Sequence, residues 1–212
     1  MFLLASAMFC FVPRDSQNLF TETPLGSDSL GPARDALRFI LARHEPYPAM
    51  VVDSGWNLQL SNRSARALFA TFAAEGPSPA EPNAMRLIFD PRGLRPSIAN
   101  WEQIAGHLIR RLQREAIEAG DGAPLRRLLD QLLALPGVAD LVKAPPQVDS
   151  GFPVVPLLLR RGSESLALFS LVSSFGTALD LTLYDLRIET LVPIDDATKQ
   201  RLERFAREAS TA

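Results

Sequence analysis

The hydrophobic period alternates between helical and extended along this chain, and that limits the fold more than any other feature. Met50-Val51-Val52 is a short apolar run, Asp53-Ser54-Gly55 is turn chemistry, and Trp56, Leu58 and Leu60 then alternate with Asn57, Gln59 and Ser61. This pattern predicts a hairpin with one wet face. From Asn62 to Leu133 the period is helical. Ala65, Leu68, Phe69 and Phe72 form one stripe, and Asn83 to Phe89 reads as a short helix broken by Asp90-Pro91-Arg92-Gly93. Asn100 and Gln103 have capping-box spacing ahead of the longest stripe, Trp101 to Ala116. Leu125 to Leu133 marks a further helix, stopped by Pro136-Gly137. After Pro145-Pro146 the chain becomes extended again. A strand ladder is predicted from about Leu157, a second strand over Leu166 to Val172, and a third through Leu186 to Val192. One helix precedes this series, Pro32 to Arg43, and another, capped by Asp195, follows it.

A two-stranded hairpin is marginal alone, so the two groups of strands are expected to join in one sheet. The predicted fold is α+β: a five-stranded antiparallel sheet with the intervening helices on one face. The layer between them is where a small-molecule cavity forms in such folds.

Composition narrows the function classes. The formal charge is −2, whereas a domain that grips phosphates normally shows a basic excess. One cysteine and two histidines leave no basis for a disulfide framework or a cysteine-rich zinc site. The glycines lie mostly at turns and form no phosphate cradle, and no nucleophile elbow is present. No cofactor or metal is expected, and catalysis finds no support. Phe2 to Val12 is apolar but too short to span a bilayer, and it lacks the positive start of a signal peptide. Pro13 to Gly31 reads as a linker.

Three stretches resemble one family. EPYPAMVVDSGWNLQLSNRSARALF (Glu45 to Phe69) is similar to the ligand-binding domain of the MmyB-like transcription regulators. NAMRLIFDPRGLRP (Asn83 to Pro96), with NWEQIAGHLIRRLQ (Asn100 to Gln113), resembles its middle segment, and FGTALDLTLYDLRIETLVP (Phe175 to Pro193) its final loop and strand. The resemblance implies a PAS-like domain binding a small apolar or fatty-acid-like molecule, expected over residues 27–208. Residues 1–26 are expected to be a remnant helix and linker, without the helix-turn-helix domain that the family carries ahead of this one. On that reading the chain is a cytoplasmic regulator fragment that does not itself bind DNA. It pairs with a second copy or with a full-length relative.

The candidate ligand-binding residues are Trp56, Leu58, Phe69, Phe89, Trp101, Leu158 and Phe169, with Arg86 at the polar end. Most lie on faces that the two periods turn inward, but the strands of Leu158 and Phe169 are apolar on both faces. Arg86 is a cation within Met85-Arg86-Leu87-Ile88-Phe89, and its planar fork suits a carboxylate. His107, Arg110, Arg111 and Arg114 read as a solvated helix face. A structural or interaction domain with a solid core and no ligand is the alternative.

Overall fold

A computed structural model describes residues 25–74, 82–119, 124–143, 154–176 and 180–211. The expected remnant helix lies outside these residues. Five strands form one antiparallel sheet: β1 (Ala49–Val52), β2 (Leu58–Ser61), β3 (Leu157–Arg161), β4 (Glu164–Ser174) and β5 (Arg187–Pro193). Their order is β2-β1-β5-β4-β3, so the two groups of strands meet at the pairing of β1 with β5. This is the α+β, PAS-like fold expected from the sequence.

Between the strand groups lie α2 (Arg63–Phe72), α3 (Ala84–Phe89), α4 (Trp101–Ala119), α5 (Pro124–Leu133) and α6 (Val138–Lys143). Asn62 caps α2: its Oδ1 accepts from Ala65 N at 2.9 Å and also from Ala49 N at 3.0 Å. Its amide donates to Tyr47 O at 2.8 Å and to Leu41 O. One buried side chain thus joins the edge of β1 to the start of α2, so every polar atom it brings inside is satisfied. Asn100 departs from the capping-box expectation. Its Oδ1 accepts from Leu158 N and its amide donates to Pro156 O, tying the start of α4 to β3, although the same amide also reaches Gln103.

The alternation of side chains across a strand decides which face each residue serves. Met50, Val52, Leu159, Leu166, Leu168 and Leu191 pack with α2 and α4 and with α8 (Asp196–Thr211) in the main core. Ala49, Val51 and Ile188 point the other way, onto Leu37 and Leu41 of α1 (Gly31–Arg43) and onto Leu186. The helix preceding the sheet therefore covers its reverse face at β1 and β5. A second cluster, with Phe89, Ile109, Leu112, Leu125 and Leu129, fixes α5 and α6 to α4. The short α6 and α7 (Leu181–Asp185) had no sequence expectation; each is under two turns long, too short for a period to show.

Candidate ligand-binding cavity

A cavity of about 450 Å³ lies between the sheet and the helical layer, within the range of small-molecule sites. The strand register explains its floor. Val172 pairs with Glu189, Glu189 with Met50, and Ser170 with Leu191, so these five share one face of β4, β5 and β1. Leu157 extends the floor along β3. The α4 wall is Gln103, Ile104, His107, Leu108, Arg110 and Arg111, the recurrent positions of one helical face. Leu68 and Phe69 of α2, Leu87 and Ile88 of α3, and Leu94 close the remaining side. His107, Val154 and Val172 line the cavity and are also exposed, so the opening to solvent runs between α4 and β4.

Trp56 stands at the polar end. Its backbone is in the left-handed region, at φ 65°, which is unusual for a bulky residue. The position is held from both sides. Trp56 N donates to Asp53 O at 3.0 Å, and Trp56 O accepts from Ala84 N at 2.9 Å. Asp53 Oδ1 also accepts from Gly55 N and Asn57 N, closing the turn. The indole is 2 % exposed and its Nε1 donates to Glu115 Oε2 at 2.9 Å.

Glu115 is the hub of a charged cluster. Its Oε1 accepts from Arg111 Nε at 3.0 Å and from Arg187 Nη1 at 2.8 Å. The Arg111 guanidinium lies 4.5 Å from the centre of the Trp56 ring, within cation–π range. Arg111 Nη1 is 3.5 Å from Glu189 Oε1. Ser170 Oγ donates to Glu189 Oε2 at 3.3 Å. Burial pushes the Glu189 carboxyl above its usual range, against the opposing charge of Arg111 and the Ser170 hydrogen bond. Loss of water around His107, reinforced by the charges of Arg111, Arg114 and Arg110, holds its imidazole below the ordinary value.

Of the sequence candidates, the cavity brings together Trp56 and Phe69. Leu58 packs against the main core instead of lining the cavity. Phe89 and Trp101 meet edge-to-face, with centroids 5.1 Å apart, in the packing behind α3 and α4. Leu158 pairs with Ala167, and Phe169 with Val192, which puts both on the reverse face. In strands apolar on both faces, the pattern cannot choose between neighbours one residue apart. Arg86 lies outside this wall and donates to Gln131 on the exposed side of α5. The polar end belongs to Arg111 and Glu189, which sequence reasoning missed. The available signal was a Glu between Ile188 and Thr190-Leu191-Val192 in the last strand, together with the (i, i+4) spacing of Arg111 and Glu115.

No helix among the described residues is long and apolar enough to cross a membrane. No curated protein matches the chain. The family signature described as MmyB-like transcription regulator ligand binding domain matches residues 33–205. That span holds all but the first two residues of α1, every strand among the described residues and the whole cavity wall, and the family is one of regulator domains and not of enzymes. The chain belongs to the MmyB-like transcription regulators, and residues 33–205 are its ligand-binding domain.

Proposed function

We propose that this domain senses a small, mostly apolar molecule, fatty-acid-like in having a chain and one polar head, and that it performs no catalysis. The observation that carries this reading is the cavity itself. Its walls are mostly Leu, Ile, Met, Val and Phe side chains, and two of its charged groups, Arg111 and Glu189, meet beside Trp56. An apolar chain buried there gains from leaving water, while the polar end orients the head. Occupancy favours one packing of α4 against the sheet, and a regulator transmits that preference to its DNA-binding part. In this reading the chain works in the cytoplasm, paired with a second copy or a full-length relative, and does not itself grip DNA. The net charge of −2 supports the last point.

The test is extraction of natively purified protein followed by mass spectrometry, with thermal shifts for alkyl ligands of graded length. Wild-type protein is expected to retain or bind such a molecule, and Leu108→Trp, which fills the cavity, to lose it. No co-purified molecule and no shift with any of the series would make the domain a solid-core interaction module.

A further inference from the structure

The reverse face of the sheet is covered on one side only. There α1 packs on Ala49 and Val51 of β1 and on Ile188 of β5. Beyond it, the register sets Val192 of β5, Phe169 and Leu171 of β4 and Leu158 of β3 on the same face. Phe169 pairs with Val192, Leu171 with Thr190, and Leu158 with Ala167. Among the described residues, these four large apolar side chains belong to none of the three buried clusters. Leu171 is 53 % exposed. A contiguous apolar patch of this kind marks a contact face.

The chain carries an uncharged segment that fits it. Phe2 to Val12 reads FLLASAMFCFV, eleven residues without a charge, and leaving such a run in water is unfavourable. The twelve residues Pro13 to Pro24 join it to Leu25, the first described residue. Leu25 already lies on the reverse face. It packs onto the cluster of Leu37, Val51 and Ile188, and its carbonyl accepts from Arg34 Nη1 at 3.2 Å. From Ile188, strand spacing puts the far corner of the patch, at Leu158, about 20–25 Å away. Twelve extended residues reach about 40 Å.

We propose that Phe2 to Val12 docks on the β3–β4 patch of its own chain and masks it. Both surfaces are uncharged, and the tether supplies the segment at high effective concentration, so no second copy is needed. Along β4, Phe169 and Leu171 alternate with Ser170 and Val172, which line the cavity. The docked segment and the cavity thus share one strand, although the inference does not require the cavity to hold a ligand.

Cys10 lies inside the run and is the chain's one cysteine, so its reactivity reads the contact. In the native full chain, Cys10 is expected to react with a water-soluble aromatic disulfide about tenfold or more slowly than in the urea-unfolded chain, at a rate independent of protein concentration. Leu171→Glu puts a charge into the patch at an exposed position and is expected to return the rate close to the unfolded value. A second measurement uses Leu171→Cys under copper-catalysed air oxidation. A disulfide with Cys10 should form within one chain, and far less should form with Ile117→Cys, which is 73 % exposed on α4 across the sheet. Unprotected Cys10 in the native wild type, which needs no variant to fold, would overturn the proposal. Protection that rises with protein concentration, or cross-links between chains at Leu171→Cys, would do the same by giving the contact to a second copy. Protection that survives Leu171→Glu, or equal cross-linking at the two positions, would place the run elsewhere and also overturn it.

Discussion

Trp56 and Glu115 are 59 residues apart in sequence and joined by a 2.9 Å hydrogen bond from indole Nε1 to carboxylate Oε2. The bond closes the turn before β2 onto the C-terminal part of α4. It also places the indole against the Arg111 guanidinium, so the polar end of the cavity is held by contacts from the turn, from α4 and from β5. Among the described residues Glu115 is the acceptor for Trp56 Nε1, and it serves Arg111 and Arg187 as well.

Replacing Glu115 with Ala leaves a buried indole N–H and two guanidiniums, on side chains 23 and 24 % exposed, without that carboxylate. Breaking a largely buried ion pair from one side costs about 3–5 kcal/mol, and residual solvent access lowers this to roughly 2–4 kcal/mol. Glu115→Gln keeps an acceptor for Trp56 and is expected to lose less. Urea denaturation of the three proteins checks the ranking.

The Glu189 carboxyl has a folded-state pKa above its ordinary value of 4.5. A carboxyl raised in this way contributes stability that is complete below the unfolded value and is lost as pH rises through the folded value. Glu189→Gln carries no such titration. Its stability relative to wild type should therefore increase as pH rises from about 4 to about 7.5, followed by urea midpoints. A difference that shrinks with rising pH would mean that Arg111 outweighs burial at this carboxyl.

Gly93 terminates the turn after α3. A Cβ there would lie 2.1 Å from the Leu87 carbonyl oxygen, which already accepts from Leu94 N at 2.7 Å. Backbone must move to admit Gly93→Ala, at a loss of about 1–3 kcal/mol or more. Leu87 and Leu94 both line the cavity, so ligand affinity should fall together with thermal stability. A substitution tolerated within about 0.5 kcal/mol would show that this turn yields easily.

Much of the fold is legible in the sequence because its periods are clean. The stripe Ala65-Leu68-Phe69-Phe72 is the buried face of α2, and the prolines before Leu157 mark where β3 begins. The site is less legible, for reasons particular to its residues. Trp56 belongs to the turn and not to an alternating strand, and its positive φ leaves no trace in a hydrophobic pattern. Glu189 and Leu191 sit on the cavity face of β5 while Ile188 faces α1. A central strand covered on both sides does not reveal which face is the floor. Arg111 reads as part of a solvated basic face until the fold brings Glu115, Glu189 and Trp56 to it.

Leu108 lies in the α4 wall and is partly buried. Leu108→Trp fills void instead of displacing packed atoms, so its thermal midpoint should stay within about 4 °C of wild type, roughly 1–2 kcal/mol for a domain of this size. Ligand shifts should disappear in the same protein. Retained shifts would place the ligand elsewhere.

The most direct test reads the cavity wall itself. The chain has two tryptophans, and Trp101→Phe leaves Trp56 as the sole indole while keeping a ring against Phe89. Titrating a long-chain alkyl ligand into this variant should give a saturable change in Trp56 fluorescence, weakened or lost when Leu108→Phe is added to narrow the cavity. A response that is absent, or that rises linearly without saturation and is unchanged by Leu108→Phe, would contradict the assignment of this cavity as the ligand site.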